Sequence, residues 1–506
     1  MTKKFTRGRL CALGTSGAGL VVLVIAVVVG WVVVPNVIDG KVKDETQLVE
    51  SSDVWEKWKD IPVPIYLKVW FFNVTNAHEF GTTTTSDWSA VPQFKEVGPY
   101  VFKETRVKYD IREGPLDTLY FRQNISYVFD AAMSGEGLHE NDIVTTVNLP
   151  FVAAITLLQI NKPLHMLGNA LLTSLLSSNE SIFASAAVNK VLFKGVDLKP
   201  IYKTVELAAR ALSIPLPDEI FNGTFAYYRG KNDSNGEGEW RVYRGVEDST
   251  MFNTIKSVND GKTRLEPWWK DHCAMVNGTD GTMFPPFITK DTRLYIYVPE
   301  ICRSIFIEYD SETEYEGIKG YRFKLPPEMF TDPYVYTANM CFCMDVKGEF
   351  NNSCNFNGMG RLFSCKANVP VTIGKPHFLD ADEWVVEEAR KFGMSPRRND
   401  HDTFLDLEPN TGFPLRAHKR LQIGAEIQPL NETVTLLTPL RTIPHIIYPV
   451  FWADEQAVLD EPLIDEIKQK LTTPLKIVMI SKWTAVAIGI ALASGGAALF
   501  TYSWFH

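Results

Sequence analysis

The sequence predicts a mixed α+β protein in which a large antiparallel β domain lies between two terminal membrane-spanning helices. Three observations support this prediction. Two long, uncharged, apolar segments lie near the ends of the chain. Many short aromatic and β-branched segments, separated by turn residues, fill the region between them, and one interval rich in Ala and Leu interrupts that pattern. These patterns favour an antiparallel sheet or barrel with a helical insertion.

Composition sets the broad class of the protein. Of the 506 residues, 45% are apolar and 22% are charged. This much apolar side chain can bury a large core, which excludes a disordered chain. The 51 basic and 60 acidic residues give a net charge of −9. Because binding to a phosphate backbone requires a basic face, we expect no nucleic-acid partner.

The two apolar segments are each long enough to cross a bilayer, which needs a helix of about 20 residues. We expect the spans at 10–34 and 482–505, with a short N-terminal segment at 1–9 and His506 at the end. The first segment is too long for the apolar region of a signal peptide and ends in a poor cleavage site, so we interpret it as a retained anchor.

The basic residues before the first span predict its orientation. Lys3, Lys4, Arg7 and Arg9 precede it without an acidic residue, and the positive-inside rule places such an end in the cytosol. Two spans then return the chain, so we expect both termini in the cytosol and residues 35–481 on the extracellular or lumenal side.

Glycosylation sequons agree with that compartment. Eight Asn-x-Ser/Thr sequons lie between the spans, several more than chance predicts. They are at Asn73, Asn124, Asn179, Asn222, Asn232, Asn277, Asn351 and Asn431.

Cysteine placement also indicates an oxidising compartment. Six of the seven cysteines lie within 273–365, which predicts three disulfides and favours them over a metal site, because the spacing lacks paired Cys-x-x-Cys units. Spacing alone leaves their connectivity open. Cys11, at the cytosolic edge of the first span, is a candidate for S-acylation or an ordinary packing residue.

Between the spans, residues 44–59 have helical character and strand-like segments follow. One Leu- and Ala-rich interval, from 149 to 193, has apolar positions three and four residues apart and predicts two to four helices. Either these helices pack on the sheet, or they form an exposed apolar apex that docks a partner or a lipid surface. The predicted strands cover 61–72, 100–109, 118–129, 223–228, 239–243, 293–297, 304–309, 321–325 and 419–428.

Several ordered motifs strongly resemble the CD36 family of class B scavenger receptors, and the resemblance covers essentially the whole chain. The matching segments are 67–80 (LKVWFFNVTNAHEF), 96–104 (EVGPYVFKE), 271–280 (DHCAMVNGTD), 284–287 (FPPF), 301–305 (ICRSI), 376–378 (PHF), 406–412 (DLEPNTG) and 419–422 (KRLQ).

The resemblance implies an antiparallel β-barrel-like domain with a helical cap at about 150–192 and an apolar tunnel. It also implies a receptor that binds lipids or lipoprotein particles and passes fatty acids, sterols or carotenoids to the membrane. The alternative is a receptor whose cap binds a protein for adhesion, clearance or trafficking. The implied disulfides are Cys273–Cys341, Cys302–Cys365 and Cys343–Cys354.

Ligand contacts are expected on the cap. Some relatives carry a lysine cluster there, but the corresponding stretch 177–181 reads SSNES, so a preference for strongly anionic particles is not expected. The candidate cap residues are Phe151, Lys162, His165, Leu172, Leu176 and Phe183.

No enzyme is predicted, because the sequence lacks HExxH, GxSxG and phosphate-loop motifs, and no cofactor or metal is expected. The chain ends where the cytosolic tail of the family would begin. We therefore expect no acidic-dileucine sorting signal, which favours the plasma membrane over the lysosome. The Gly-rich second span is a candidate interface for a homo-oligomer.

Overall fold

The chain divides into a helical unit and a β unit. The helical unit comprises Met1–Gln47, Glu314–Ile318 and Leu459–His506, and the β unit comprises Leu48–Thr313 and Lys319–Val458. The computed structural model describes residues 7–80, 91–160, 181–198, 206, 210, 220–221, 223–232, 238–344, 354–366, 369–428 and 445–505.

Two long apolar helices form most of the helical unit. The first span runs through Arg7–Val28, a π-helical turn at Val29–Val33 and Val34–Glu45. The second span runs through Glu461–Ile467, a π-helical turn at Lys468–Thr472 and Thr473–Phe505. Both are long and apolar enough to cross a membrane.

Small residues let the backbones of the two spans approach closely. A Cβ atom added at Gly19 would lie 2.3 Å from the Ala493 backbone nitrogen, and one at Gly496 would lie 2.5 Å from that of Ser16. The Ser16 hydroxyl also donates a hydrogen bond of 3.2 Å to the Ala493 carbonyl. The glycines therefore serve contact between the spans, which is the usual role of small residues in membrane helices.

Short helices and many strands form the β unit. The helices are Asp53–Lys59, Leu149–Ile160, Glu383–Lys391 and Arg398–His401. The strands are β1 (Ile65–Val74), β2 (Phe94–Gly114), β3 (Thr118–Phe129), β4 (Ile143–Val147), β5 (Phe183–Ala187), β6 (Val196–Asp197), β7 (Ile220–Phe221), β8 (Thr224–Phe225), β9 (Trp240–Tyr243), β10 (Ile255–Ser257), β11 (Leu294–Val298), β12 (Arg303–Tyr315), β13 (Ile318–Lys324), β14 (Met359–Arg361), β15 (Val371–Gly374), β16 (Phe404–Glu408), β17 (Phe413–Ile427) and β18 (Ile446–Val458).

The main sheet has thirteen strands. The strand pairs whose residue-by-residue register is described are antiparallel, as the sequence predicts. Its order is β10-β9-β3-β2-β1-β18-β17-β16-β13-β12-β11, with β15 on β17 and β14 on β15. Over the described residues this ladder does not close, so the expected barrel is corrected to an open sheet. Its edges are nevertheless linked through one short segment. Ile255 of β10 donates to the Gly278 carbonyl, and Thr279 exchanges backbone hydrogen bonds with Tyr295 and Tyr297 of β11.

β18 is a central strand of this sheet that the sequence patterns did not predict. It pairs with β1 on one side and with β17 on the other, and its first nine residues are all buried. Because both faces are covered, its apolar residues do not alternate with polar ones. Pro449 also lies within it, at a register irregularity opposite Gly424, where a missing donor is tolerated.

The predicted helical interval is only partly helical in the described residues. Helix Leu149–Ile160 agrees with the prediction, and 161–180 lie outside the described part. The expected helix near 182–192 is wrong, because Phe183–Ala187 is a strand paired with β4 and a π-helical turn follows at Lys190–Lys194. Pairing with β4 there outweighs the helical preference of Ala. A complete cap over 150–192 therefore stays a prediction.

Candidate functional site

The main sheet borders a large cavity, which we name the sheet cavity. Its empty volume is about 1390 Å³, including space open to solvent. Residues from β1, β2, β3, β9, β11, β12, β16, β17 and β18 line it, so the open sheet curves around this space. Much of the wall is apolar, including Ile65, Ile125, Ile305, Leu405, Ala417 and Ala457.

A second cavity, the helix-side cavity, lies beside helix Leu149–Ile160. Its empty volume is about 720 Å³, again including space open to solvent. Leu149, Pro150 and Ala153 form one wall, and Ile423 of β17 and Phe451 of β18 belong to another. Both cavities are lined mainly by apolar side chains, as sites for small hydrophobic ligands are.

The two cavities share a charged wall position. Glu300, in the helical turn Pro299–Ile301, lines both of them. It belongs to six charged residues in ionic contact, which we name the junction cluster: Glu104, Arg106, Lys231, Glu300, Lys419 and Glu455.

The contacts of the junction cluster form a chain of ion pairs. Arg106 contacts Glu104 and places Nη2 2.6 Å from Glu455 Oε1. Lys419 contacts Glu455, its partner in the β17–β18 register, and its Nζ lies 3.9 Å from Glu300 Oε2.

The environment of this chain shifts the pKa of its carboxyl groups in different directions. Burial, together with the nearby Glu455 carboxylate and against the attraction of Arg106, raises the pKa of Glu104 to about 7. Burial alone would also raise the pKa of Glu300, but Lys231 and Lys419 hold it well below its usual range. The pKa of Glu455 is likewise lowered, because Lys419 and Arg106 outweigh its burial. Glu104 is therefore the carboxyl group of the cluster that titrates near neutrality.

A second buried ion pair supports the wall of the sheet cavity. The Lys108 ammonium, which is fully buried, lies 3.5 Å from Asp280 Oδ2 and donates to the Trp58 carbonyl at 3.0 Å. Burial lowers the pKa of Lys108 despite the Asp280 carboxylate. Burial alone would raise the pKa of Asp280, but Lys108 and the hydrogen bonds from Thr282 lower it.

The six clustered cysteines form three disulfide bonds: Cys273–Cys341, Cys302–Cys365 and Cys343–Cys354. These are the pairs that the resemblance implies. His272 lies close to the first bond, with Nε2 3.2 Å from Cys341 Sγ. This is the geometry of a potential metal site in the described part of the chain, but both sulfurs are oxidised and a metal ligand must be a thiolate.

The predicted cap residues divide into two groups. Phe151 and Phe183 are buried in the main core, where the Phe183 ring centroid lies 5.6 Å from that of Phe80. Their role in ligand binding stays a prediction. The other four, Lys162, His165, Leu172 and Leu176, lie outside the described residues.

The predicted modification sites divide in the same way. Asn124 is exposed on β3, and Asn73, Asn232 and Asn277 are half-buried. Cys11 is exposed on the first span and is a free thiol. Asn179, Asn222, Asn351 and Asn431 lie outside the described residues.

The junction cluster is a feature that the sequence patterns did not predict. A signal was present in β17, because every second residue of a strand points to the same face. Lys419 therefore shares a face with Ala417, Leu421 and Ile423, which are all apolar. The partners could not be identified because they lie far apart in the chain: Arg106 and Glu455 are separated by 349 residues.

Comparison with known proteins places these features in a family. A model of the CD36 family matches residues 17–500. Lysosome membrane protein 2 of Mus musculus is 30% identical over 486 residues, covering 96% of this chain and 93% of that protein. Sensory neuron membrane protein 1 of Plutella xylostella is 29% identical, covering 94% and 88%.

Sensory neuron membrane protein 2 of Manduca sexta is similar as well, at 28% identity over 485 residues, covering 94% of this chain and 91% of that protein. The family match thus extends from the first span to the second. With two terminal apolar helices, a large antiparallel sheet and three disulfides, this chain belongs to the CD36 family of scavenger-receptor-like membrane proteins.

Proposed function

We propose that this protein is a lipid receptor that holds a hydrophobic ligand in the cavities of its β unit and passes it towards the membrane. The observation that carries the proposal is the pair of cavities that share Glu300 as a lining residue. Fatty acids, sterols and carotenoids are the proposed cargo, free or from lipoprotein particles. The same cavities would form the two ends of one passage.

Hydrophobic burial supplies the driving force for this function. Each methylene moved from water into an apolar site is stabilised by about 0.8 kcal/mol. A wall of Ile, Leu, Ala and Phe side chains supplies such a site, and polar groups at a few positions fix the orientation of the ligand. Transfer then needs no covalent step, so we propose a receptor rather than an enzyme, without cofactor or metal.

The same proposal fixes an orientation in the membrane. The basic residues before the first span favour cytosolic termini, and the sequons between the spans favour an extracellular β unit. We propose the plasma membrane as its location. Surface biotinylation of intact cells tests this placement: labelling of the glycosylated chain is expected, and labelling only after permeabilisation would contradict it.

Ligand loading tests the function itself. The full chain, purified in detergent, is titrated separately with a fluorescent fatty acid, a fluorescent sterol and a carotenoid. Saturable binding of at least one of them, close to one molecule per chain or a small whole number, is expected. If none binds saturably, the cavities do not serve lipid uptake, and a protein-binding receptor becomes the better explanation.

A further inference from the structure

The junction cluster lies at the wall position that the two cavities share. Glu300 belongs to both walls, so a ligand that reaches from one cavity into the other passes beside this cluster. Arg106, Lys419 and Glu455 also line the sheet cavity, and their side chains keep 14%, 29% and 21% of their surface exposed. An amphipathic ligand can therefore bring its polar end to these groups.

When all six groups are ionised, the charges of the junction cluster balance. Three carboxylates, Glu104, Glu300 and Glu455, face three cations, Arg106, Lys231 and Lys419, and each cation contacts at least one of the carboxylates.

The other charged groups on the cavity walls are also engaged. Asp280 pairs with Lys108, and the His418 ring lies 2.8 Å from Asp454. Lys366, on the wall of the helix-side cavity, has an interaction partner of its own. In the described part of the chain, Arg106, His418 and Lys419 on the wall of the sheet cavity are therefore each in contact with a carboxylate.

A balanced cluster treats charged and uncharged head groups differently. An ionised carboxylate entering this site would add a negative charge that no group compensates, or it would displace Glu455 or Glu300 from its cation. Both changes are costly at a buried site, because an unpaired buried charge is strongly destabilising. A hydroxyl can donate to a carboxylate oxygen and accept from an ammonium group without separating any pair.

Resting on the lipid-receptor function proposed above, we propose that the junction cluster selects amphipathic ligands with an uncharged, hydrogen-bonding head group, such as long-chain alcohols and sterols. A long-chain acid then enters only together with one proton, carried by its own carboxyl group or by Glu104. Glu104 lies beside Arg106 and its pKa of about 7 lets it take up that proton near neutrality.

Two ligands of equal chain length test this selection. Dodecanol and dodecanoate each displace a bound fluorescent sterol from the full chain in an uncharged detergent, at about pH 8.5 and about pH 5.5. At the higher pH, dodecanol is expected to bind about tenfold more tightly than dodecanoate, or better. The affinity for dodecanol itself should be the same at both pH values. The affinity for dodecanoate is expected to rise by up to tenfold per pH unit on acidification, since one proton enters with it.

Glu104→Gln provides a second test, because the uncharged amide mimics the protonated carboxyl group at every pH. In this variant dodecanoate should bind more tightly than in the wild type at the higher pH, whereas Glu308→Gln, a half-exposed control on β12, should leave both affinities unchanged. Dodecanoate binding as tightly as dodecanol at the higher pH, or without pH dependence, would overturn the selection. If the sterol itself fails to bind, the lipid-receptor function fails instead.

Discussion

Lys231 Nζ lies 2.8 Å from Glu300 Oε1, at the wall position that the sheet cavity and the helix-side cavity share. This ion pair joins a chain of charges that continues through Lys419 and Glu455 to Arg106. Apolar walls on both sides of it make the site amphipathic.

Filling the sheet cavity should reduce lipid binding. Ala417 on β17 lines this cavity, and Ala417→Trp places a large ring in its empty volume. We expect about a tenfold or larger loss of affinity for a fluorescent sterol, corresponding to about 1.4 kcal/mol or more. Val128→Trp is the control, since Val128 on β3 is 65% exposed. Unchanged sterol binding by a folded Ala417→Trp variant would show that the ligand lies elsewhere.

Glu104 should make the stability of the protein depend on pH. Its pKa of about 7 in the folded state exceeds its ordinary value of 4.5, so the folded state holds this proton more tightly. The resulting stability is complete below about pH 4.5 and is lost as the pH rises through about 7, a change on the order of 3 kcal/mol.

Glu104→Gln should remove this loss of stability. The Tm of the variant minus the Tm of the wild type should therefore increase from about pH 5 to about pH 8. The comparison of variant with wild type matters because His401 acts in the opposite direction: burial, followed by the His377 charge, lowers its pKa to about 4. Tm curves of the variant and the wild type that run parallel across this range would contradict the role of Glu104.

Two adjacent glycines in the second span should respond differently to the same substitution. Gly496→Ala adds a Cβ atom 2.5 Å from the Ser16 backbone nitrogen, so the spans must separate and the Tm in detergent should fall. Gly495→Ala meets nothing within 4 Å. Because Ala stabilises a helix by about 1 kcal/mol relative to Gly, the Tm of the Gly495→Ala variant should stay the same or rise. A similar effect of both substitutions would mean that Gly496 does not pack against the first span.

The disulfides should differ in their contribution to stability. Cys273 and Cys341 are 68 residues apart, and Cys343 and Cys354 are 11 residues apart. Loop-closure entropy predicts that replacing the first pair by Ser lowers the free energy of unfolding by about 1.5 kcal/mol more than replacing the second. Thermal unfolding of the two double variants measures this difference, and an equal or reversed order would contradict the entropic explanation.

Treatment with a chelator distinguishes a disulfide from a metal site at Cys273 and Cys341. Since the sulfurs of Cys273 and Cys341 are joined, EDTA should leave the Tm unchanged, whereas a reductant should lower it. A fall in Tm with EDTA would instead indicate that His272 and its sulfur neighbours bind a metal.

Local patterns were sufficient for much of the fold. Apolar length predicted both spans, and a run rich in aromatic and β-branched residues predicted both ends of β3. β18 did not show such a pattern, because it is buried on both faces and contains Pro449. The segment Phe183–Ala187 has helix-forming residues, but its pairing with β4 decides its conformation.

The candidate site depends on contacts that a single sequence does not reveal. Lys419 stands out as a charge on an apolar strand face, yet nothing nearby in the chain identifies Glu455 and Glu300 as its partners. The cavities depend on how the sheet curves, and that curvature results from pairings between distant strands. Sequence patterns could therefore predict the class of the domain but not the position of its polar junction.

Mass spectrometry of lipid bound to the purified full chain decides whether the cavities hold a ligand. Wild type, Ala417→Trp and Val128→Trp are prepared in the same detergent and washed equally before extraction. The wild type and Val128→Trp should retain one lipid species in near-stoichiometric amounts, and Ala417→Trp should have lost most of it. Equal lipid content in all three, or none in any, would contradict a ligand-holding interior.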